Sequence, residues 1–531
     1  MTTLTGGDII VETLAREKIK HVFSIPGGQL LTIYDAIRVH PDVDMIVPRH
    51  EGASALMACG YALASGRPSV VMSTVGAGVI YEAGGLLFAW RERLPVVSIA
   101  PQVQSYRMKP IQESLQACDQ DTIFKPFTKF GAIIYHYDRI PQLVRRAIKV
   151  AAAPEPGPVH LDVPVDVLFE FHRVSGTRFG KLFPGGSFRF EGEIRADEAA
   201  LEKGAELIRS AKRPLALVGR GVRNAGADLM KLLQAAVMPV LTSEMAFSSV
   251  SSDYDLKLGV VDMWEDDEAI DIAAQADVIL IFEADENTAR FAQVIATKNS
   301  SVKVIQSAEL AAAVSSVVPA DVGIVGTPGA VLNGLSERVS SAAKDEGWFR
   351  RLMEMKSKLE KEYLIALGPG SRVNGVLNTI GIVSELLRPE DYVVCDGPLA
   401  ARAAMLKLKH PGLGRVVPIA DDYIPGAGLP VALGIKAAAP KSKVFFITET
   451  SRMKRHSREF QTASRYKLPV TGFVFQDKDK KPDEEVNFAE MAKSLGVQAR
   501  TITDPVEEIT KETVTESFSK DSGMLFDVSS F

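Results

Sequence analysis

The fold class follows from residues 21–72, which read HVFSIPGGQLLTIYDAIRVHPDVDMIVPRHEGASALMACGYALASGRPSVVM. Three short apolar runs alternate here with two helical patterns, the runs at 21–25, 45–47 and 69–72 and the helices from Gln29 and over 52–64. Strands of this length that alternate with helices predict βαβ units in a parallel sheet. We therefore expect an α/β protein.

The same alternation returns twice along the chain. A second series begins at Pro214 and a third at Tyr392. Residues 171–193 are rich in Gly, Arg, Ser and Phe without periodicity, which predicts a linker. Three successive units of similar size favour three doubly wound parallel-sheet domains over one large barrel. We expect these domains at 1–172, 190–345 and 360–531.

Composition excludes several classes of function. The 531 residues contain 61 Lys and Arg against 66 Asp and Glu, and no basic block is interleaved with aromatic residues, so nucleic acid is not an expected partner. No apolar run approaches the roughly 18 residues of a membrane span, and the N-terminus lacks a secretory pattern, so we expect a cytoplasmic protein. Three distant cysteines, Cys59, Cys118 and Cys395, favour reduced, buried thiols.

Several stretches in the first and last domains stand in a specific order and spacing. They are VFSIPGG at 22–28, YDA at 34–36, RHEGA at 49–53, GYA at 60–62, GPVHLDVP at 157–164, GAGLP at 426–430, ALGIK at 432–436 and YKLPV at 466–470. Together they resemble the thiamine-diphosphate 2-oxoacid decarboxylases and carboligases, in the branch of acetolactate synthase and oxalyl-CoA decarboxylase.

The resemblance implies an architecture and a reaction type. It implies pyrimidine-binding, central and diphosphate-binding domains, and a homodimer or homotetramer with its active site at the subunit interface. The implied enzyme is a lyase or transferase that makes or breaks a carbon–carbon bond next to a carbonyl of a 2-oxo acid or related small molecule. Thiamine diphosphate and Mg²⁺ are the implied cofactors. The central domain of some relatives also binds FAD or ADP, for which the Gly-Arg-Gly at 219–221 is weak evidence.

Two residues match catalytic positions of that family. Glu51 stands where relatives place the acid that faces N1′ of the aminopyrimidine, and the small apolar residues after it would desolvate that acid. The alternative is that Glu51 only opens a helix, where the helix dipole stabilises a carboxylate. Gln116 stands where relatives place a glutamine near cofactor and substrate, although an exposed loop glutamine is almost as good an interpretation. His50 and His160 receive no role, because a histidine beside a strand end is usually structural.

Further cofactor contacts are implied by the same matches. The turn at 73–78 reads STVGAG where relatives carry Ser-Gly-Pro-Gly, and its glycines allow a ligand to approach the backbone. The implied cofactor-binding residues are Pro26, Gly27, Gly28, Gly76, Asp396, Gly426, Thr448, Thr450 and Ser451.

The diphosphate-binding part departs from the family. Its Gly-Asp-Gly turn is Thr448-Glu449-Thr450 here, and Asp477 and Asp479 stand near the family's paired asparagines. These three carboxylates are the expected metal ligands, since Mg²⁺ prefers oxygen. The basic residues nearby either neutralise phosphate directly or are solvated; they are Lys454, Arg455, Lys478 and Lys480. The family's covering loop after the asparagines is missing, and Pro425 replaces a bulky residue under the cofactor.

Three functional hypotheses remain open from sequence. In the first, the chain is a thiamine-diphosphate enzyme activated by Glu51. In the second, the scaffold is retained but thiamine diphosphate and Mg²⁺ are replaced by a different ligand and reaction. The third is a binding or regulatory relative without activity, since fold alone does not fix function.

Overall fold

A computed structural model describes residues 2–184, 193–340, 344–368, 370–420, 424–476, 486–519 and 523–528. Within them are three six-stranded sheets flanked by helices, so the predicted α/β class with three doubly wound sheets is confirmed. The contacts of the chain group into two compact units. The first comprises 1–190, 421–501 and 517–527, and the second comprises 191–420, 502–516 and 528–531.

The first sheet is parallel throughout. Its region contains strands β1 Thr2–Leu4, β2 His21–Ser24, β3 Asp44–Ile46, β4 Ser69–Met72, β5 Val96–Gln102, β6 Gly131–Ile133, β7 Val159–Pro164 and β8 His172–Val174. The sheet order is β3-β2-β4-β5-β7-β6. The helices are α1 Gly6–Arg16, α2 Leu31–Val39, α3 Glu51–Ser65, α4 Ala77–Tyr81, α5 Ala83–Arg91, α6 Gln120–Phe124, α7 Ile140–Ala152, α8 Val165–Phe169 and α9 Gly176–Leu182.

The second sheet is also parallel. Its strands are β9 Pro214–Val218, β10 Val240–Thr242, β11 Lys257–Val260, β12 Val278–Phe282, β13 Lys303–Ala308 and β14 Val322–Val325. They lie in the order β11-β10-β9-β12-β13-β14. The helices of this region are α10 Glu198–Ser210, α11 Gly226–Ala236, α12 Asp267–Ala273, α13 Glu286–Lys298, α14 Pro328–Ser336 and α15 Glu346–Ala366.

The third sheet has six strands. They are β15 Tyr392–Asp396, β16 Val416–Ile419, β17 Val444–Glu449, β18 Thr471–Phe475, β19 Gln498–Ile502 and β20 Met524–Val528. The pairs β15 with β16 and β17 with β18 are parallel. The helices are α16 Ser371–Leu386, α17 Pro398–Lys407, α18 Gly428–Ala438, α19 Thr450–His456, α20 Phe460–Arg465, α21 Phe488–Ser494 and α22 Lys511–Glu516.

The predicted linker at 171–193 is wrong for its first half. Residues 172–174 form β8, which pairs antiparallel with β1, and 176–182 form α9. Leu182 and Phe183 are buried in the core of the first domain. A three-residue edge strand and a two-turn helix are too short to show a period in the sequence, which explains the error.

Small residues set the packing of α3. A Cβ on Gly60 would lie 2.1 Å from the carbonyl oxygen of Val431 in α18, and one on Gly434 would lie 1.9 Å from the carbonyl oxygen of Met57 in α3. The two helices therefore cross with their backbones in contact. Because α3 begins at Glu51, this crossing fixes the helix that presents the predicted catalytic acid.

Two smaller expectations concern solubility and thiols. None of the helices among the described residues is both long and apolar enough to cross a bilayer. Cys59 and Cys395 are buried as expected, whereas Cys118 is only half-buried. Burial raises the pKa of the Cys395 thiol to about 12, so this thiol is not a nucleophile at neutral pH.

Candidate active site

The strand order of the first sheet reverses between β2 and β4, while the strands remain parallel. Two glycine-containing turns lie at this switch point. The chain winds outward from β2 to β3 on one side and from β4 to β5 on the other. Ligands of doubly wound sheets bind at the carboxyl ends of strands flanking such a point. The turns after β2 and β4 touch there, since a Cβ on Gly27 would lie 2.7 Å from Cβ of Thr74. Pro26 and Gly28 are exposed beside them.

Gln116 lies against the second of these turns. Its carbonyl oxygen is 2.8 Å from the position of a Cβ on Gly76, and its own φ is +69°. The Gln116 Oε1 accepts a hydrogen bond from Nε2 of Gln29 at 3.0 Å, and the hydroxyl of Thr74 donates to Oε1 of Gln29. The structure thus brings Gln116 and Gly76 together, with an exposed Gln116 side chain.

Glu51 is the first residue of α3 and points toward the same turn. His50 caps the helix through its Nδ1, which accepts the N–H of Gly52 at 3.0 Å. The Glu51 Oε1 is 3.5 Å from where Gly78 would carry a Cβ. The carboxyl group is half-buried and lies in the positive field of the helix N-terminus. Gly78 therefore leaves room in front of the acid that a side chain would fill.

Residues of the last domain surround the strand end that precedes Glu51. The backbone N–H of Arg49 donates to both carboxyl oxygens of Glu459, at 2.9 and 3.1 Å. Burial raises the pKa of Glu459 to about 7. The ring of His456 lies 6.0 Å from that of His50, and burial together with His50 lowers the pKa of His456 to about 4. This imidazole is neutral at physiological pH.

The altered turn of the diphosphate-binding part is tightly packed. Strand β17 ends at Glu449, and α19 begins at Thr450. Thr448 and Thr450 are buried, Glu449 is half-buried and Ser451 is exposed. The Thr448 Oγ1 is buried and has no hydrogen-bond partner among the described residues. A buried hydroxyl without a hydrogen-bond partner costs free energy.

The turn before α18 lies against α19. Gly426 has φ +92°, and a Cβ there would lie 2.8 Å from the carbonyl oxygen of Arg452. This conformation requires glycine. Pro425 is half-buried, and Asp396 is buried at the end of β15.

Comparison with known proteins bears on the whole chain. Residues 4–123 match the family model "Thiamine pyrophosphate enzyme, N-terminal TPP binding domain", 201–335 match "Thiamine pyrophosphate enzyme, central domain", and 424–481 match "Thiamine pyrophosphate enzyme, C-terminal TPP binding domain". The chain belongs to the thiamine pyrophosphate enzyme family. Thiamine pyrophosphate is thiamine diphosphate, so the predicted family is confirmed.

Similar curated proteins point to one branch of this family. The chain is 28% identical to a probable acetolactate synthase large subunit of Methanocaldococcus jannaschii over 563 residues, which covers 99% of the chain and 92% of the relative. It is 27% identical to the acetolactate synthase large subunit of Haemophilus influenzae over 489 residues, covering 88% and 82%. It is also 27% identical to the acetolactate synthase isozyme 3 large subunit of Escherichia coli over 486 residues, again covering 88% and 82%. The chain is therefore an acetolactate-synthase-like enzyme.

The thiamine pyrophosphate family implies a cofactor that the site accommodates in part. On the pyrimidine side, Glu51 faces Gly78, which has no side chain, and this suits a flat ring. On the diphosphate side, the Thr448 hydroxyl is a buried donor without a partner in the described part of the chain. The described residues contain no group of three His, Cys, Asp or Glu side chains that could hold a metal. The predicted ligands Asp477 and Asp479 lie outside the described residues. The family's covering loop is missing at 478–486, and of this stretch only Val486 is described.

The central domain of this family member presents acid where a nucleotide would bring phosphate. At the switch point between β9 and β12, a Cβ on Gly221 would lie 2.7 Å from Cβ of Glu283. Asp285 accepts a hydrogen bond from the N–H of Arg220 at 3.1 Å. Both carboxyl groups are buried. Asp285 Oδ2 also lies 3.5 Å from Nε of Arg220, so this guanidinium balances its charge.

Sequence reasoning missed the polar groups behind the glycine turn. Glu82, Ser98, His160 and Asp162 are buried and hydrogen-bonded in series. They come from three separate elements, and each alone reads as an ordinary strand or helix residue. Glu459 and His456 were missed for a related reason, since they lie some 400 residues from Arg49 and His50.

Proposed function

We propose that this acetolactate-synthase-like enzyme makes or breaks a carbon–carbon bond next to the carbonyl of a 2-oxo acid, with Glu51 as its activating acid. When bound, thiamine diphosphate supplies an electron sink for the carbanion that such a reaction generates. The observation that carries the proposal is the placement of Glu51 at the start of α3, with its Oε1 beside the side-chain-free position of Gly78. Relatives named acetolactate synthase across most of the chain support it.

Glu51 would hold a proton at N1′ of the aminopyrimidine. A half-buried carboxyl is partly shielded from water, which strengthens a hydrogen bond to a ring nitrogen. Gln116, which lies against Gly76 of the same 73–78 turn, would orient the substrate carbonyl. Pro26, Gly27 and Gly28 would bring backbone close to the ring, because two of the three have no side chain.

The diphosphate would be held by the altered turn. We assign the Thr448 hydroxyl, Thr450 and Ser451 to phosphate oxygens, with Gly426 and Asp396 as further contacts. Glu449, Asp477 and Asp479 are the proposed ligands of Mg²⁺. The unpartnered Thr448 Oγ1 supports this assignment, since native proteins seldom leave such groups unpaired.

A dimer or tetramer is the proposed assembly. Four apolar side chains on α4 and α5 are between 39% and 55% exposed: Ile80, Tyr81, Leu87 and Trp90. An exposed apolar cluster of this kind is typical of a protein interface. The cluster follows directly on the Gly76–Gly78 turn, so an interface there would lie beside the proposed site.

We also propose cytoplasmic localisation and domain boundaries near 172, 190, 345 and 360.

The proposal is tested with a short 2-oxo acid such as pyruvate. We expect carbon dioxide release by the purified protein that depends on added thiamine diphosphate and Mg²⁺. Analysis of the products then separates simple decarboxylation from ligation to a second 2-oxo acid. Turnover that is unchanged after complete removal of thiamine diphosphate would contradict the proposal.

A further inference from the structure

A buried carboxyl group lies directly behind the glycine turn that faces Glu51. Glu82 follows α4 and is fully buried. The hydroxyl of Ser73, the first residue of the turn, donates to Glu82 Oε1, and the hydroxyl of Ser98 lies 2.7 Å from Oε2. Burial raises the pKa of Glu82 to about 7, although both serine hydrogen bonds oppose the rise. A proton is therefore readily held on or released from this carboxyl group at neutral pH.

The series continues from Ser98 to a histidine and an aspartate. The Ser98 Oγ is 3.0 Å from Nδ1 of His160, and Nε2 of His160 is 3.1 Å from Oδ1 of Asp162. All three side chains are almost fully buried. The ring of Phe124 covers that of His160 at 4.4 Å between centroids. The Asp162 Oδ2 is buried with no hydrogen-bond partner among the described residues, which favours a cation nearby.

If Asp162 is ionised, the number of protons limits the arrangements of this series to two. Ser98 has one O–H and can donate only once. If it donates to His160 Nδ1, then Glu82 must be protonated and donate to Ser98. If it donates to Glu82, then Glu82 is ionised and His160 must donate from Nδ1 to Ser98 and from Nε2 to Asp162, as an imidazolium. Both arrangements contain the same number of protons and carry the same net charge.

We infer that Glu82, Ser98 and His160 form a buried proton relay that positions the 73–78 turn against Glu51. In the transfer, the O–H bond of Glu82 breaks as its proton bonds to Ser98 Oγ, while the original O–H of Ser98 breaks and its proton bonds to Nδ1 of His160. Glu82 is left as a carboxylate and His160 as an imidazolium. No proton leaves the protein interior.

The hydrogen-bonded series from Glu82 to Asp162 is attached to the turn at both of its ends. Ser73 binds Glu82 at one end, and at the other end Gln120 joins Asp162 to the turn. The Gln120 Nε2 donates to Asp162 Oδ1, and its Oε1 accepts the N–H of Gly76 at 3.3 Å. Every hydrogen bond of the series is retained in either arrangement, so the turn stays in place while charge moves behind it. These are positioning residues, and their effect on catalysis rests on the proposed role of Glu51.

The relay itself is tested by nitrogen NMR of the full chain labelled with ¹⁵N-histidine. The His160 signals are assigned as those that disappear in His160→Gln. In wild type we expect an Nδ1 shift between the protonated and unprotonated limits that changes with temperature, because the two arrangements interchange. In Glu82→Gln the amide N–H₂ donates to Ser98, so Nδ1 should stay unprotonated at all temperatures. Identical His160 signals in wild type and Glu82→Gln would overturn the relay.

A second variant measures the positioning effect. Ser98→Ala removes the bridging hydroxyl and should weaken thiamine diphosphate binding by up to about tenfold, the effect of one or two hydrogen bonds. Ser69→Ala is the matched control, since Ser69 is an equally buried serine of the same sheet that donates to the carbonyl of Ala58 at 2.8 Å. Equal effects of the two alanine variants would overturn the positioning role. If wild type binds no thiamine diphosphate but shows the NMR behaviour, the proposed function fails and the relay stands.

Discussion

The two halves of the proposed site differ in the side chains that their turns carry. The Glu51 half keeps glycine at 76 and 78, so the backbone is open in front of the acid. The half at the end of β17 places threonines at 448 and 450, both buried, where the family has glycine. Chemistry at the pyrimidine ring tolerates little change in geometry. By contrast, the hydrogen bonds that hold a diphosphate can be donated by hydroxyl groups in place of backbone N–H groups. We therefore propose a retained reaction centre with a rebuilt anchor.

The largest effect is expected at the reaction centre. Glu51→Gln should lower kcat by about 100-fold to 10,000-fold, the usual contribution of a positioned acid or base. The amide cannot move a proton at N1′, while the helix start is preserved. Steady-state kinetics with a 2-oxo acid and saturating thiamine diphosphate measure the change.

Glu286→Gln is the matched control for that substitution. Glu286 is also the first residue of a helix, α13, and is exposed. Both variants lose the same interaction with a helix dipole, worth about 0.3–1 kcal/mol. An equal effect on kcat in the two variants would mean that Glu51 only opens its helix.

The hydrogen bonds from the Arg49 N–H to Glu459 lie at a carboxyl group whose titration should make stability depend on pH. The pKa of Glu459 is raised to about 7 in the folded protein, above the ordinary carboxyl value, so the native state retains a proton that the unfolded state loses first. Wild type should therefore lose stability relative to Glu459→Gln as pH rises from about 4.5 to 7, by up to about 3 kcal/mol. Denaturant unfolding of both proteins at several pH values measures the difference. A difference that is constant across this pH range would contradict the assignment.

The helix crossing beneath the two halves should be intolerant of a methyl group. Gly60→Ala places Cβ against the Val431 carbonyl, and the free energy of unfolding should fall by about 2 kcal/mol. Gly381→Ala is the control, because no atom lies within 4 Å of its Cβ position in the exposed face of α16. Alanine there should stabilise the helix by up to about 1 kcal/mol. Thermal unfolding of both variants compares them, and equal shifts would contradict the close crossing.

The smallest effect concerns the rebuilt anchor, where one substitution should raise the stability of the unliganded protein and lower its affinity for thiamine diphosphate. Thr448→Val replaces by a methyl group a buried hydroxyl that has no partner among the residues the structure describes, so the unliganded protein should gain about 1 kcal/mol in unfolding free energy. If this hydroxyl binds a phosphate oxygen, affinity for thiamine diphosphate should fall by about tenfold in the same variant. Calorimetric titration and denaturant unfolding measure the two quantities. Unchanged affinity would remove Thr448 from the anchor.

The sequence predicted strands and large helices well because buried parallel strands read as uninterrupted apolar runs. The strand at 69–72 was predicted with its bounds, and the helix predicted over 52–64 spans 51–65. Short edge elements such as β8 and α9 carry no such signal. The matches also singled out Glu51 and, separately, the turn at 73–78. The proposed relay behind that turn depends on contacts between 82, 98 and 160 that no local pattern encodes.

We propose that this chain binds thiamine diphosphate through a rebuilt anchor in front of Glu51. Calorimetric titration of the purified protein with thiamine diphosphate, with and without Mg²⁺, measures this binding. We predict saturable binding at one site per chain, accompanied by a gain in unfolding free energy of about 2.7 kcal/mol at one hundred times Kd. Absence of both heat and stabilisation at millimolar cofactor, with the metal present, would contradict the claim.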